Sequence, residues 1–322
     1  HDGTRTPIPH NPGMASVEVS PSLLAWAQQR SGLTPQDLEQ RFPALPDWQR
    51  GLKQPTLRQL EQFAQATHTP IGFFFLAQPP METVPLPDLR TIGNQAVGRP
   101  TANLLDTVYL CQQRQDWYHD FAKANHLDPI PFIGSLGAQT DIVEAGLKLQ
   151  QDLRFDVQSR GSSWSEALSR LRDQAEELGI LVMVSGVVGS NTHRKLDPRE
   201  FRGFALVDDL APLVFVNGSD TKAAQIFTLA HELAHLWYGE SALDDPDLAL
   251  TSTNDRETWC NRVAAEFLVP MREMRDVFRS QNPVSEQLQP IAERFKVSTL
   301  VALRRLFDAG YLKWAEYQKE YQ

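Results

Sequence analysis

The stretch His231-Glu232-Leu233-Ala234-His235 constrains this chain more than any other. A helix turns about 100° per residue, so two histidines four apart lie only about 40° apart on one face. On a helix, the pattern H-E-x-x-H brings two imidazoles to one zinc ion and leaves the glutamate to activate water. The flanking residues predict that helix over 221–239, with Asp220 or Ser219 able to cap its start and Gly239 able to end it. Ile226, Leu229, Leu233, Leu236 and Trp237 cluster on the other side, which predicts one apolar stripe for the core and a separate face for the imidazoles.

Two histidines are an incomplete catalytic site, because catalytic zinc takes three protein ligands and a water. No histidine follows His235, so the third ligand is expected to be a carboxylate. Glu240, Asp244, Asp245, Asp247, Asp255, Glu257 and Glu266 are the candidates. Asp244, Asp245 and Asp247 flank Pro246 in an acidic, turn-rich stretch that reads as a solvated connection. Residues 257–268 predict a helix with Glu257, Asn261, Ala264 and Leu268 on one face. Glu266 lies about 180° round from Glu257, and its position four after Arg262 predicts a surface pair. Ala264 and Ala265 are small enough to let this helix approach the histidine helix closely. Glu257 is therefore the choice, with Glu266 as the fallback.

These residues also carry a family resemblance. The run Phe227 to Leu236, followed by Glu257-x-x-Cys260-Asn261-x-x-Ala264-Ala265-x-x-Leu268-Val269-Pro270, resembles the ImmA/IrrE group of bacterial zinc metallopeptidases. That group's pattern is an H-E-x-x-H helix and then E-x-x-A-N-x-F-A-A-x-L-L-M-P. Cys260, Val263, Phe267 and Val269 stand where the pattern has alanine, phenylalanine, leucine and methionine. Phe201 to Phe204 and Ala211 to Asn217 are similar to the strands that precede the helix in that group. The resemblance implies that His231, His235 and Glu257 bind Zn2+ and that Glu232 is the catalytic general base of an endopeptidase. It implies a substrate too: a helix-turn-helix transcriptional repressor, cut to derepress stress-response, mobile-element or defence genes. The competing class is a DNA-binding or sensing regulator whose metallopeptidase fold is mainly a binding platform.

The N-terminal part fits either class. From Met14 to Pro80 the pattern is short helices: 22–30, then one capped by Thr34 with Pro35 at its first position, then Asp47 to Gly51, then one opened by Pro55-Thr56. Together they resemble the small helical DNA-binding domain of the phage-repressor (XRE) type, in which a W-x-R-G stretch ends the recognition helix. Five basic residues (Arg30, Arg41, Arg50, Lys53, Arg58) face five acidic ones (Glu18, Asp37, Glu39, Asp47, Glu61), whereas an operator-binding face wants a positive excess. Pro43 and Pro46 limit the helix where recognition should occur. DNA is thus an open partner, and a net charge of −9 confines any nucleic-acid site to a local patch. The run Ile71 to Leu76 is strongly apolar and is expected to dock this module onto the body.

The expected fold class is α+β. Residues 1–13 read as a remnant left by cloning, 14–80 as the repressor-like domain, 81–160 as a helical connecting region, and 161–322 as a zincin-like metallopeptidase domain with C-terminal helices. In the middle region, 101–126 predicts an amphipathic helix through Leu104, Leu105, Val108, Tyr109, Cys111, Trp117 and Phe121, and 141–157 and 164–178 predict two more helices. The period then changes: 180–184, 201–207 and 212–217 predict three strands, the last two joined as a hairpin, with 185–200 a loop over the site. Leu213 to Val216 is a candidate for pairing with an extended substrate. Tyr238, His193 and Arg202 are candidates for stabilising an oxyanion. His119 and His126 belong to no visible ligand pair. The segment 291–306 resembles a helix-turn-helix superficially and is expected to pack on the body. Two cysteines give no disulfide framework, and no stretch approaches the roughly 18 apolar residues of a membrane span, so a cytoplasmic protein is expected.

Overall fold

The computed structural model describes residues 16–82, 84, 86, 100–243 and 255–321. The 1–13 remnant and the acidic cluster Asp244, Asp245 and Asp247 lie outside the described residues. The chain divides into two compact units, 1–83 with 98–105, and 84–97 with 106–322.

The first unit carries α1 (Pro21–Ser31), α2 (Pro35–Arg41), α3 (Leu45–Gln49) and α4 (Leu57–Ala66). Local chemistry sets these boundaries. Gly32 ends α1 at φ 68°, a left-handed conformation open to glycine. Thr34 accepts from Asp37 N at the start of α2, and Thr56 and Gln59 form a capping box on α4. As Pro43 and Pro46 predict, α3 is only five residues long. Arg50 and Lys53 both pair with Asp47, whose one negative charge offsets one of their two positive charges. Leu23, Leu24, Leu38, Leu45, Leu60 and Phe63 are fully buried. The apolar run forms a 3-10 turn at Ile71–Phe75, in which Phe74 is buried with its ring 5.8 Å from Phe63, while Ile71, Phe75 and Leu76 are exposed.

The second unit is built from α5 (Ala102–Ala124) beyond its first four residues, which belong to the first unit, and from α6 (Ile142–Asp152), α7 (Trp164–Glu177), β1 (Leu181–Ser185), β2 (Val187–Val188), β3 (Asn191–Lys195), β4 (Gly203–Leu206), β5 (Leu213–Asn217), α8 (Lys222–Tyr238), β6 (Ala242–Leu243), α9 (Asp255–Leu268), α10 (Met271–Val277), α11 (Val284–Phe295), α12 (Thr299–Asp308) and α13 (Trp314–Tyr321). The α+β class holds. The three expected strands join the short β6 in one sheet, ordered β1-β5-β4-β6. β4 and β5 pair as the expected antiparallel hairpin, and β1 runs parallel to β5. β5 therefore has a strand on each edge, which leaves Leu213 to Val216 no free edge for an extended substrate. Residues 185–200 are more ordered than a loop, since β2 and β3 form a small hairpin there.

Along α5, Leu104, Leu105, Val108 and Cys111 are buried, but Tyr109, Trp117 and Phe121 are exposed, so its apolar face is shorter than the sequence predicts. His119 is hydrogen-bonded, with Nδ1 2.9 Å from Asp208. The C-terminal pair packs on the body: Ile291, Phe295, Leu303 and Leu306 belong to the same core as α8 and α9.

Candidate metal centre

The histidine helix α8 starts at Thr221, whose side chain accepts from Ala224 N, rather than at Asp220 or Ser219. It ends at Gly239, φ 87°. Every residue from Gln225 to Trp237 is buried, so the single stripe read from the sequence is replaced by a helix enclosed on all sides. Its last carbonyls find distant partners: Gly134 N donates to Leu236 O (3.0 Å) and Leu136 N to Trp237 O (2.9 Å). The two glycines touch there, since a Cβ on Gly239 would lie 2.7 Å from Gly134 Cα.

α9 packs between α8 and α6. Gly146 of α6 makes the approach possible, because a Cβ there would lie 2.8 Å from Glu266 Cγ. Two buried guanidiniums then hold the C-terminal end of α9. Arg160 donates to the carbonyls of Phe267, Leu268 and Phe295, and Arg305 donates to Val269 O. Arg305 also pairs with Glu266, which accepts from Met271 N as well. Glu266 is thus a buried structural carboxylate, not the surface partner of Arg262 that its spacing predicted. The local i,i+4 option loses because α6 covers the side of α9 that carries Glu266, while Arg262 stays exposed.

At the other end of α9, Glu257 meets the two histidines. Nε2 of His231 and Nε2 of His235 are 3.0 Å apart. Glu257 Oε2 lies 3.2 Å from the first and Oε1 3.0 Å from the second. All three side chains are buried, and they form a group of donors able to hold a metal ion. Burial opposes ionisation of Glu257, yet its hydrogen bonds to His231 and His235 win and hold the carboxyl far below its usual range. Burial pushes the His235 imidazole below its ordinary 6.5, against the pull of Glu257. The set at neutral pH therefore holds an ionised carboxylate and, at His235, an imidazole that burial keeps toward its neutral form.

The donor set fits a divalent cation. Two imidazole nitrogens at 3.0 Å repel unless a proton or a metal lies between them. Ligands of one tetrahedral zinc at about 2.0 Å each lie roughly 3.3 Å apart, close to the spacings found here.

Glu232 is fully buried beside β4. Gly203 makes its room: a Cβ there would lie 2.9 Å from Glu232 Oε1, 2.8 Å from Phe215 O and 2.6 Å from Thr228 Cγ2. The sequence reading assigned Gly203 no role. The available signal was a glycine inside a strand pattern, which marks close approach by a neighbour. The remaining candidates are engaged elsewhere. Glu240 pairs with Arg256, Asp255 is exposed, Arg202 faces Asp220 at 3.6 Å, and the Tyr238 ring packs 5.3 Å from Trp259. His193 is exposed on β3.

Residues 175–307 match the family model Peptidase_M78, the IrrE N-terminal-like domain. The matched segment contains α8, α9 and all three donors. The chain matches none of the curated proteins. Among the described residues, no helix is long and apolar enough to cross a membrane.

Proposed function

With residues 175–307 as an IrrE N-terminal-like peptidase domain, we propose that this chain is a zinc-dependent endopeptidase that cleaves a helix-turn-helix repressor in the cytoplasm. The observation that carries the reading is the buried convergence of His231, His235 and Glu257 inside that domain. Two imidazoles and a carboxylate are the donor chemistry of catalytic zinc, and they would hold it here. When bound, the cation supplies Lewis-acid polarisation of a carbonyl and makes water easier to deprotonate.

The chain's own residues do the rest. Glu232 follows His231 directly, and the missing side chain at Gly203 leaves its carboxylate room. From there it takes the proton of the attacking water and later delivers it to the leaving amine. α9 fixes Glu257 against both histidines, and the Arg160 and Arg305 contacts keep α9 from sliding.

Selectivity for a repressor rests on the resemblance and on the first unit. Its basic and acidic residues balance, which supports contacts to protein over contacts to DNA.

The test is incubation of the zinc-loaded protein with repressors encoded nearby, read by appearance of cleavage products. We expect cutting that a chelator stops and that Glu232→Gln slows about 100- to 10,000-fold with zinc content kept. A Glu232→Gln protein that cuts as fast as wild type would overturn the mechanism. Salt-dependent binding to a specific duplex, with regulation intact in the same variant, would favour the binding-platform class instead.

A further inference from the structure

One face of α9 reaches His235 at both ring nitrogens. Glu257 Oε1 lies 3.0 Å from Nε2, and one turn later Cys260 Sγ lies 3.6 Å from Nδ1. Cys260 is fully buried. An imidazole that offers its Nε2 lone pair to a metal carries its proton on Nδ1, and the hydrogen-bond partner of Nδ1 decides whether that tautomer is favoured. The thiol sulfur is an acceptor at the normal distance for sulfur. The reverse arrangement, S–H donating to Nδ1, would put the ring proton on Nε2, the atom that faces the other donors. Histidine ligands characteristically have such a partner at the second nitrogen, usually a carboxylate, carbonyl or water.

We infer that Cys260 is a positioning residue that holds His235 in its metal-binding tautomer by accepting a hydrogen bond from Nδ1–H. This rests on the reading of His231, His235 and Glu257 as the metal site. The pattern of the similar metallopeptidases has alanine at this position, so the thiol contact is a feature of this chain.

The test is Zn2+ affinity of the full chain, by competition with a chromophoric chelator, for wild type and three variants. Cys260→Ala removes the acceptor, Cys260→Val removes it while filling the space with a slightly larger apolar side chain, and Cys260→Ser restores an oxygen acceptor. We expect Ala and Val each to weaken zinc binding about tenfold and Ser to recover most of the loss. Val recovering affinity while Ser does not would assign the residue to packing and overturn the inference. Wild-type affinity in Cys260→Ala would overturn it alone, leaving the site intact. A wild-type protein that takes up no zinc would overturn the site and the inference together.

Discussion

The two ends of α9 each bury a carboxylate, and the two have opposite meanings. Glu266 faces Arg305, a permanent cation, and it also receives the first free N–H of α10. Its charge is cancelled within the fold, so nothing further is needed. Glu257 faces two imidazoles, one of which burial holds toward its neutral form. There the carboxylate converges with two imidazoles and not with a guanidinium. Burial of an acid therefore marks no site by itself; the charge state of its partners does.

This contrast breaks or sharpens under substitution. With free zinc about a thousandfold above its Kd, wild type gains about 4 kcal/mol of stability from binding, and Glu257→Gln should lose most of that gain. Urea unfolding with and without zinc reads the difference. Glu266→Ala should instead cost about 3 kcal/mol without zinc, the low end for an orphaned buried charge because Arg305 keeps Val269 O. Its zinc affinity, measured on the folded fraction, should stay near wild type. If Glu266→Ala lost zinc and kept its stability, the assignment of the two ends would be reversed.

The next effect is gentler and depends on pH. The pKa of His235 is depressed in the folded chain, so above the ordinary 6.5 it is neutral in both states and adds no pH dependence. Below 6.5 the unfolded chain takes the proton first, and stability of the zinc-free protein falls. The depressed Glu257 adds a second loss below its ordinary 4.5, by the same sign. Unfolding free energies measured between pH 7 and 5 should slope downward in wild type and flatten in His235→Gln. The smallest effect lies away from the pair. Thr56→Ala removes the α4 capping box in the first unit, costs about 1 kcal/mol, and leaves zinc affinity unchanged.

The sequence carried those parts of the site whose geometry is local. His231 and His235 need only the helical period, and the caps at Thr34 and Thr56 need only their own first turns. The choice of Glu257 over Glu266 used the same period, and its placement of the two on opposite faces of α9 was sound. It failed in assuming that the face opposite a site is wet. α6 covers that face, and the partner of Glu266 lies 39 residues away in the chain. Distance in sequence also hid the parallel pairing of β1 with β5, the fit of Gly203 against Glu232, and the carbonyls of α8 that Gly134 and Leu136 complete. None of these has a periodicity to read, because each is made by two segments meeting.

The clamp on α9 has a consequence for how the protein is made. Chains emerge from the ribosome N-terminus first, and compact parts fold as they become available. Gly134 and Leu136 exist long before the helix end they cap, so α8 can close as soon as it is synthesised. α9 is different: Arg160 is already there, but Arg305 is translated 39 residues after Glu266. A nascent chain that has passed Glu257 owns every metal donor while Glu266 still lacks its cation. The clamp on α9 is thus completed only once α12 has been translated.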